Sequence, residues 1–292
     1  MQIKTMQNDI RHILPDPFPT LHLMDAGAMS LGEPPPYQPA LGWPQTLLFG
    51  FEPQPIECAR LNASATANTR FFPVALGDGQ THTFHVGRME ATSSLFAPNL
   101  KLARQFRALA ELMEVTRSST IETTRLDDLA EIPPLHYMKL DVQGAELMIL
   151  QNGLRQLAST VMIHLEVEFV PLYQGQPLFG DVDCFLRGQG FQFHRFVSVS
   201  GRTAPPFLMN QGPYEAMSQQ LWADVLYIRD MEQWPTLAAE QLIRLAALLH
   251  TLYGSFDLAG LALDAAGAQC GLALKDAYLS LFGIPQQSLQ MA

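Results

Sequence analysis

The chain has 292 residues, of which 48% are apolar and 16% charged, with a formal net charge of -10. This excludes a largely disordered chain and argues against a nucleic-acid backbone or an anionic membrane as the main partner, since both repel such a surface. The three cysteines, Cys58, Cys184 and Cys270, lie far apart in no zinc-like spacing, and no apolar run nears the roughly 20 residues that span a bilayer, so a soluble, cytoplasmic protein is expected.

Residues 1–20 are polar and then broken by Pro15, Pro17 and Pro19, which predicts a short helix and an extended arm anchored by Ile10, Leu14 and Phe18. Apolar runs at Leu21–Met24, Thr46–Phe51, Arg70–Ala75, Tyr137–Leu140 and Val161–Val167 read as buried strands. Segments of helical period separate several of them, at Ile56–Ala67, Asn99–Met113 and Glu146–Gln156, and this alternation indicates a parallel sheet covered on both faces. Thr81–Val86 alternates directly after Gly77-Asp78-Gly79, which predicts an inserted antiparallel pair. Gly190–Gly201 and Leu221–Asp230 follow as two strands with no helix between them, a hairpin-like end to the sheet.

From Trp234 the texture becomes helical. Leu242, Leu245, Ala246, Leu249 and Leu252 share one face, Tyr253-Gly254 breaks the run, Asp257 is the expected N-cap of a second helix, and Leu272–Leu281 forms a third before Gly283 and Pro285. The expected fold is therefore α/β, a doubly wound and mostly parallel seven-stranded sheet, divided into an N-terminal arm (1–20), a main domain (21–230) and a small C-terminal helical appendage (231–292). One such helical unit cannot bury its own face. It must pack on the main domain, on a second copy or on another partner, and a homodimer through these helices is one expectation.

In an open parallel sheet, ligands bind outside the carboxyl ends of the strands, where strand order reverses. Asp25 and Gly27 follow the first strand, Glu52-Pro53 the second, and Ala75, Leu76 and Asp78 the third. Asp141, Gly144 and Glu146 follow the fourth, and Glu166 and Glu168 end the fifth. Glu52 lies about one βα unit beyond the glycine turn, where a carboxylate accepts both hydroxyls of a ribose. Simpler roles stand beside these: Asp141 as a helix cap, His164 as a satisfied core histidine, and Glu166 with Glu168 as ion-pair partners of Lys139 or Arg195. Acids after strands one, two, four and five nevertheless follow the order of a doubly wound methyltransferase that uses S-adenosylmethionine (SAM).

The block "YMKLDVQGAE" (Tyr137–Glu146), its lead-in Thr124-Arg125-Leu126-Asp127-Asp128 and the segment His164–Phe196 resemble the FkbM-type methyltransferases. Many of these O-methylate sugars or hydroxylated natural products. "GFEPQP", "VALGDG" and "ATSSLFAPN" extend the likeness upstream, to cover about Leu21 to Asp230. The resemblance implies a class I, Rossmann-like fold with SAM as cofactor and a sugar or glycan-like hydroxyl as acceptor. It implies that Asp25, Gly27 and the adjoining backbone at Ala28 hold the methionine part of SAM. Glu52, with Pro53 beside it, would hold the ribose, and Ala75, Leu76 and Asp78 would border the adenine. Asp141 would lie near the transferable methyl, and Ser94, preceded by Ser93, would face the cofactor. Glu166, Glu168 and Tyr173 would line the acceptor side.

On that basis the acceptor proton is expected to go to Asp141 or Glu168, with His164 as third choice. No metal is assigned, although Asp141, Glu166 and Glu168 are oxygen ligands of the kind Mg²⁺ or Ca²⁺ accepts. The chain departs from the family after Ala28: asparagine, one residue, glycine and an aromatic are replaced by Met29, Ser30, Leu31 and a proline-rich stretch to Trp43. Gly32 would relieve the following turn, and Pro34–Pro36 would form a stiff loop. If that loop closes over the cofactor, Tyr37 or Trp43 should reach it. The altered motif also motivates a second reading, a non-catalytic methyltransferase-like binding protein that acts through its helical tail. A nicotinamide oxidoreductase, the third, lacks its glycine fingerprint here.

Overall fold

A computed structural model describes residues 9–29, 34–43, 45–210 and 212–284. Strands β1 (Leu21–Ala26), β2 (Thr46–Phe51) and β3 (Thr69–Phe72) are joined by α1 (Gln38–Leu41) and α2 (Pro55–Ala63). The third strand ends earlier than the apolar run suggests, because Pro73 has no N–H to give to the ladder. The chain then leaves the sheet as β4 (Ala75–Leu76), which forms a separate three-stranded sheet with β5 (Thr81–Gly87) and β6 (Val115–Thr124). The β5–β6 pair is the expected antiparallel insertion, although its second strand arrives some thirty residues later.

Between β5 and β6, the span expected as one helix forms two, α3 (Leu100–Ala103) and α4 (Leu109–Leu112). Ala108 at φ +58 separates them, beside an Arg107 N–H drawn to the Thr203 carbonyl at 3.0 Å. After β7 (Tyr137–Leu140) the helix is likewise divided into α5 (Glu146–Gln151) and α6 (Leu154–Ser159). The break lies at Gly153, where a Cβ would meet Leu126 at 2.9 Å. Asp127, from the lead-in to the main motif, accepts from the N–H groups of Arg155 and Gln156 at 2.8 and 3.1 Å, so its carboxylate caps α6. Then follow β8 (Met162–Glu168), α7 (Phe179–Gly188), β9 (Phe191–Gly201) and β10 (Gln220–Arg229).

The seven-stranded sheet has the order β3-β2-β1-β7-β8-β10-β9, and only β10 runs antiparallel to its neighbours. This is the expected doubly wound sheet with its hairpin-like end, and its strand order reverses between β1 and β7. The core on one face holds Met24, Leu140, Leu165 and Val225, covered by Ile149 and Leu150 of α5, Leu157 of α6 and Leu186 of α7.

The other face is covered by α8 (Ala239–Tyr253), with α9 (Phe256–Cys270) and α10 (Leu274–Ser280) packed behind it. Leu242, Leu245, Ala246 and Leu249 are fully buried in one core with Leu23, Tyr137, Met162 and Leu226 of the sheet. Of the three outcomes foreseen for the tail, packing on the main domain is the one observed. Ile10 is buried in the same core, and Leu14 and Phe18 pack against it. Gly254, at φ +60, ends α8 where the break was expected. Ser255, not Asp257, occupies the N-cap position of α9, and Asp257 falls in its first turn.

Candidate active site

Because side chains alternate along a strand, register fixes which of them share a face. Asp25 pairs with Lys139, Lys139 with His164, and Glu166 with Asp224, so these groups stand on the face that α8 covers. Along β1, β7 and β8 that face is apolar at the amino end, with Leu23, Tyr137 and Met162, and charged at the carboxyl end. Helix α8 covers the apolar half. Over the charged half lies a cavity of about 1040 Å³. Its wall carries the carboxylates of Asp25, Glu52, Glu90, Asp141, Glu166 and Asp224 and the cations of Lys139 and Arg202.

Lys139 stands at the centre of the charged row, with Nζ 3.3 Å from Asp25 Oδ1 and 3.6 Å from Asp141 Oδ2. Burial alone would lower its pKa, but Asp25, Asp141 and Asp224 outweigh it and hold the lysine charged. Asp25 is buried, and its Oδ2 accepts from the Tyr37 hydroxyl at 2.5 Å. Burial and then Asp25 push that phenol upward, so it remains a donor. Asp25 Oδ1 accepts no hydrogen bond among the described residues.

Gly27 has φ +80, and a Cβ there would lie 2.0 Å from the Asp141 carbonyl, so only glycine lets the ends of β1 and β7 touch. The N–H groups of Gly27 and Ala28 both bond the Phe51 carbonyl, at 3.1 and 3.3 Å. These amides are therefore engaged within the protein. Pro34, Pro35, Pro36 and Tyr37 line the cavity, whereas Trp43 packs edge-on against Phe18, away from its wall. Gly32 lies outside the described residues.

Glu52 is buried at the cavity wall beside Pro53, and its Oε1 accepts from the Gln54 N–H at 2.8 Å. Burial raises its pKa, with smaller contributions from Glu57, Glu90 and Asp25. Ala75 and Leu76 line a separate cavity of about 50 Å³ that shares Gly27, Pro53 and Val142 with the large one. Asp78 lines neither; it accepts from the Gln80 N–H at 2.9 Å and pairs with His82 at 2.8 Å in the turn before β5. Ser93 is on the wall. Ser94 lies behind it, donating to the Gln143 carbonyl at 2.6 Å and accepting from the Phe96 N–H at 2.9 Å.

The loop after β7 closes on itself. The buried carboxylate of Glu146 accepts from the N–H of Val142 at 2.8 Å and of Gly144 at 2.9 Å. Burial pushes its pKa from 4.5 to about 7 against those bonds, and Asp141 adds to the rise. Gln143 donates its amide to Asp141 at 2.9 Å and to Glu166 at 2.7 Å, and accepts from Tyr173 at 2.9 Å. A neutral amide thus stands between the two carboxylates that a cation would bridge. Among the described residues no three His, Cys, Asp or Glu side chains have the geometry of a metal site. Burial, then Asp141 and Glu168, raise the Glu166 pKa well above its ordinary value. Glu168 is buried and is not part of the cavity wall, while Tyr173 is.

His164 lines the cavity with both ring nitrogens engaged: Nδ1 is 2.9 Å from the Tyr253 hydroxyl and Nε2 is 3.5 Å from Asp224 Oδ1. Farther out, the Arg202 guanidinium lies 4.9 Å from the Trp222 ring and 5.6 Å from that of Tyr214. Its Nε has no hydrogen-bond acceptor among the described residues. Asp224 and Gln143 were given no site role from the sequence, Lys139 was named only as an ion-pair partner of Glu166 and Glu168, and Tyr37, expected to reach the cofactor if the loop closes, is on the cavity wall. Asp224 had a readable signal, since it is the acid in the apolar run "LWADVLYIR" and alternates with Trp222 and Leu226.

The profile described as "Methyltransferase FkbM domain" matches residues 25–193 of the chain. A 2-O-methyltransferase, NoeI of Sinorhizobium fredii (strain NBRC 101917 / NGR234), is 30% identical over 141 residues, which cover 46% of this chain. The match spans 58% of that relative's length. Among solved structures, magnesium protoporphyrin IX methyltransferase from Synechocystis PCC 6803 with bound SAM matches at 10% identity and a TM-score of 0.37, over 73% of this chain and 71% of its own. A precorrin-6y C5,15-methyltransferase from Geobacter metallireducens GS-15 matches at 14% identity and a TM-score of 0.37, over 78% and 92%.

Proposed function

The chain belongs to the FkbM methyltransferase family, and from that premise we propose that it is a SAM-dependent O-methyltransferase acting on a hydroxyl of a sugar or similar small acceptor. The observation that carries this is the acidic lining of the cavity at the reversal point of the sheet, where six carboxyl groups face Lys139 and Arg202. SAM presents an ammonium, a sulfonium and a ribose diol, all of which suit carboxylate acceptors. Asp25, on the cavity wall, suits the methionine end, and Glu52, with one oxygen held by Gln54, suits the ribose. Gly27, Ala28 and Pro53 would fit against the cofactor's body, and Ala75 and Leu76 against the adenine. When bound, SAM supplies the methyl group as part of a sulfonium.

The residues' own contribution is positioning, which is worth on the order of 7–11 kcal/mol in well-aligned reactions. On the acceptor side, Tyr173 and the Trp222 ring offer a hydroxyl and an apolar face, a combination that suits a sugar. A dinucleotide fits poorly: its pyrophosphate would meet carboxylates, and the Gly27 and Ala28 amides that could cradle it are already bonded. The binding-protein reading was motivated by the altered first motif and the appended helices; the apolar face of those helices packs on the sheet, and SAM binding separates the two readings. A cytoplasmic setting accords with three free cysteines.

Calorimetry with SAM and S-adenosylhomocysteine tests the cofactor. Wild type should bind both, and Glu52→Gln should weaken SAM about tenfold to a hundredfold, the worth of hydrogen bonds to a charged acceptor. Absence of heat at high-micromolar SAM would overturn the reading. Incubation with SAM and a panel of free sugars and methyl glycosides should yield a product one methyl heavier by mass spectrometry.

A further inference from the structure

We propose that Asp224 is the carboxylate that takes the proton from the acceptor hydroxyl, held for that task by a one-way hydrogen-bond chain that begins at Tyr137 and passes through Tyr253 of α8. The proposal rests on the methyl-transfer reading above. The Tyr137 and Tyr253 hydroxyls are 2.8 Å apart, Tyr253 is 2.9 Å from His164 Nδ1, and His164 Nε2 is 3.5 Å from Asp224 Oδ1. The other oxygen of Asp224 accepts from Ser198 at 2.6 Å.

Only one direction of donation satisfies every member. An ionised Asp224 can only accept, so His164 must carry its hydrogen on Nε2. A neutral imidazole then accepts at Nδ1, Tyr253 donates there, and Tyr137 donates to the Tyr253 oxygen. Burial pushes both phenols upward, so they remain donors. A cationic His164 would reverse the chain and leave the Tyr137 proton, buried among the described residues, without an acceptor.

The groups expected to take this proton, and Glu166 beside them, are held in other ways. Asp141 receives the Gln143 amide and faces Lys139, and both nitrogens of His164 are engaged. Glu166 is pushed toward its protonated form by burial and by Asp141. Glu168 is not on the wall. Asp224 keeps 35% of its side chain exposed at the cavity. Burial raises its pKa, but His164, Ser198 and the charge of Lys139 outweigh it and hold the group ionised. In the step itself, a lone pair of the acceptor oxygen forms the O–C bond while the C–S bond breaks and leaves its electron pair on sulfur. The hydroxyl proton, which becomes strongly acidic as that bond forms, passes to the Asp224 carboxylate.

The test pairs spectroscopy with turnover. In protein labelled with ¹⁵N-histidine, the signal lost in His164→Asn identifies His164. It should be the neutral Nε2–H tautomer at pH 7, with an Nδ1 shift that moves in Tyr253→Phe. Asp224→Asn should lower turnover on the sugar panel by about 10²- to 10⁴-fold, the range of a general base, while SAM affinity by calorimetry stays within about twofold. Should that variant fail to fold, Ser198→Ala keeps the carboxylate and should give a smaller loss of the same kind. A cationic or Nδ1–H His164, or undiminished turnover in Asp224→Asn, overturns the proposal alone. Wild type that binds no SAM overturns the methyl-transfer reading, and this proposal with it.

Discussion

The two faces of the sheet are covered by different kinds of chain. On one, α5 and α6 come from the crossover between the neighbouring strands β7 and β8, and α7 from the crossover between β8 and β9, which flank β10. On the other, the crossover after β1 contributes only the four-residue α1, and the layer is completed by α8 and α9 from the far end of the chain. A layer needs an apolar stripe at the right place in space, not at a particular place in sequence. The proline-rich segment can therefore dispense with a helix, and the substitute layer brings Tyr253 against His164.

The largest expected effect breaks the comparison directly. A chain ending at Thr236 should lose cooperative unfolding, because α8 alone carries five buried leucine-sized side chains, Leu242, Ile243, Leu245, Leu248 and Leu249, and losing them at roughly 1.5–3 kcal/mol each removes most of a domain's roughly 5–15 kcal/mol. Near-UV circular dichroism and calorimetric melting would show this. A milder version compares equivalent substitutions. Leu249→Ala in α8 and Leu150→Ala in α5, both fully buried, should each cost about 2–5 kcal/mol by urea unfolding. A cost for Leu249→Ala within about 0.5 kcal/mol, as at a surface position, would make α8 peripheral after all.

The same contrast separates what the sequence discloses from what it conceals. The sheet, its hairpin-like end and the break at Gly254 follow from period and turn chemistry, which act over a few residues. The acids at strand ends follow from alternation. The partners of the polar groups on those strands were not readable, because they come from other elements, 12 to 89 residues away: Tyr37 for Asp25, Tyr253 for His164, Ser198 for Asp224. Helical period over Glu146–Gln156 likewise concealed the break at Gly153, where the close approach of Leu126 leaves no room for a Cβ. Asp78 looked like a strand-end ligand because β3 was read too long; with Pro73 ending the strand, it belongs to the turn before β5.

A smaller effect contrasts the apolar half of the α8 face with the acids gathered around the carboxyl ends of the strands. The apolar half is indifferent to pH, whereas folding raises the pKa of Glu146 from 4.5 to about 7 and moves those of Glu52, Glu166 and Glu168 upward. A carboxyl group with a raised pKa binds its proton more tightly in the folded state. Its contribution is complete below about pH 4.5 and is lost as pH rises through the folded value. Stability should therefore fall between pH 5 and 8, with Glu146 responsible for on the order of 3 kcal/mol, and Glu146→Gln should flatten the slope between pH 5 and 7. Urea midpoints that rise with pH across this window would contradict the assignment. The depressed Asp224 contributes stability that is complete above its ordinary 3.8 and is lost only as pH falls below it, outside the window.

The smallest effect concerns the two loops that meet at Gly27 and Asp141, one belonging to each face. The loop after β7 is tied within itself by Glu146, so its order depends on neighbours in sequence. Among the described residues, the proline-rich segment after β1 reaches the site through one side-chain bond, from Tyr37 to Asp25, while the Tyr37 ring is buried near Tyr137. Tyr37→Phe keeps the ring and removes the bond, at a cost of about 1.5–3 kcal/mol. Hydrogen exchange should then quicken at residues 37–43 and stay unchanged at 142–146. Equal acceleration at both would mean that the Gly27–Asp141 contact couples the loops into one unit. The proline segment would then tune the β7 loop through the sheet rather than act only on its own side of the cavity.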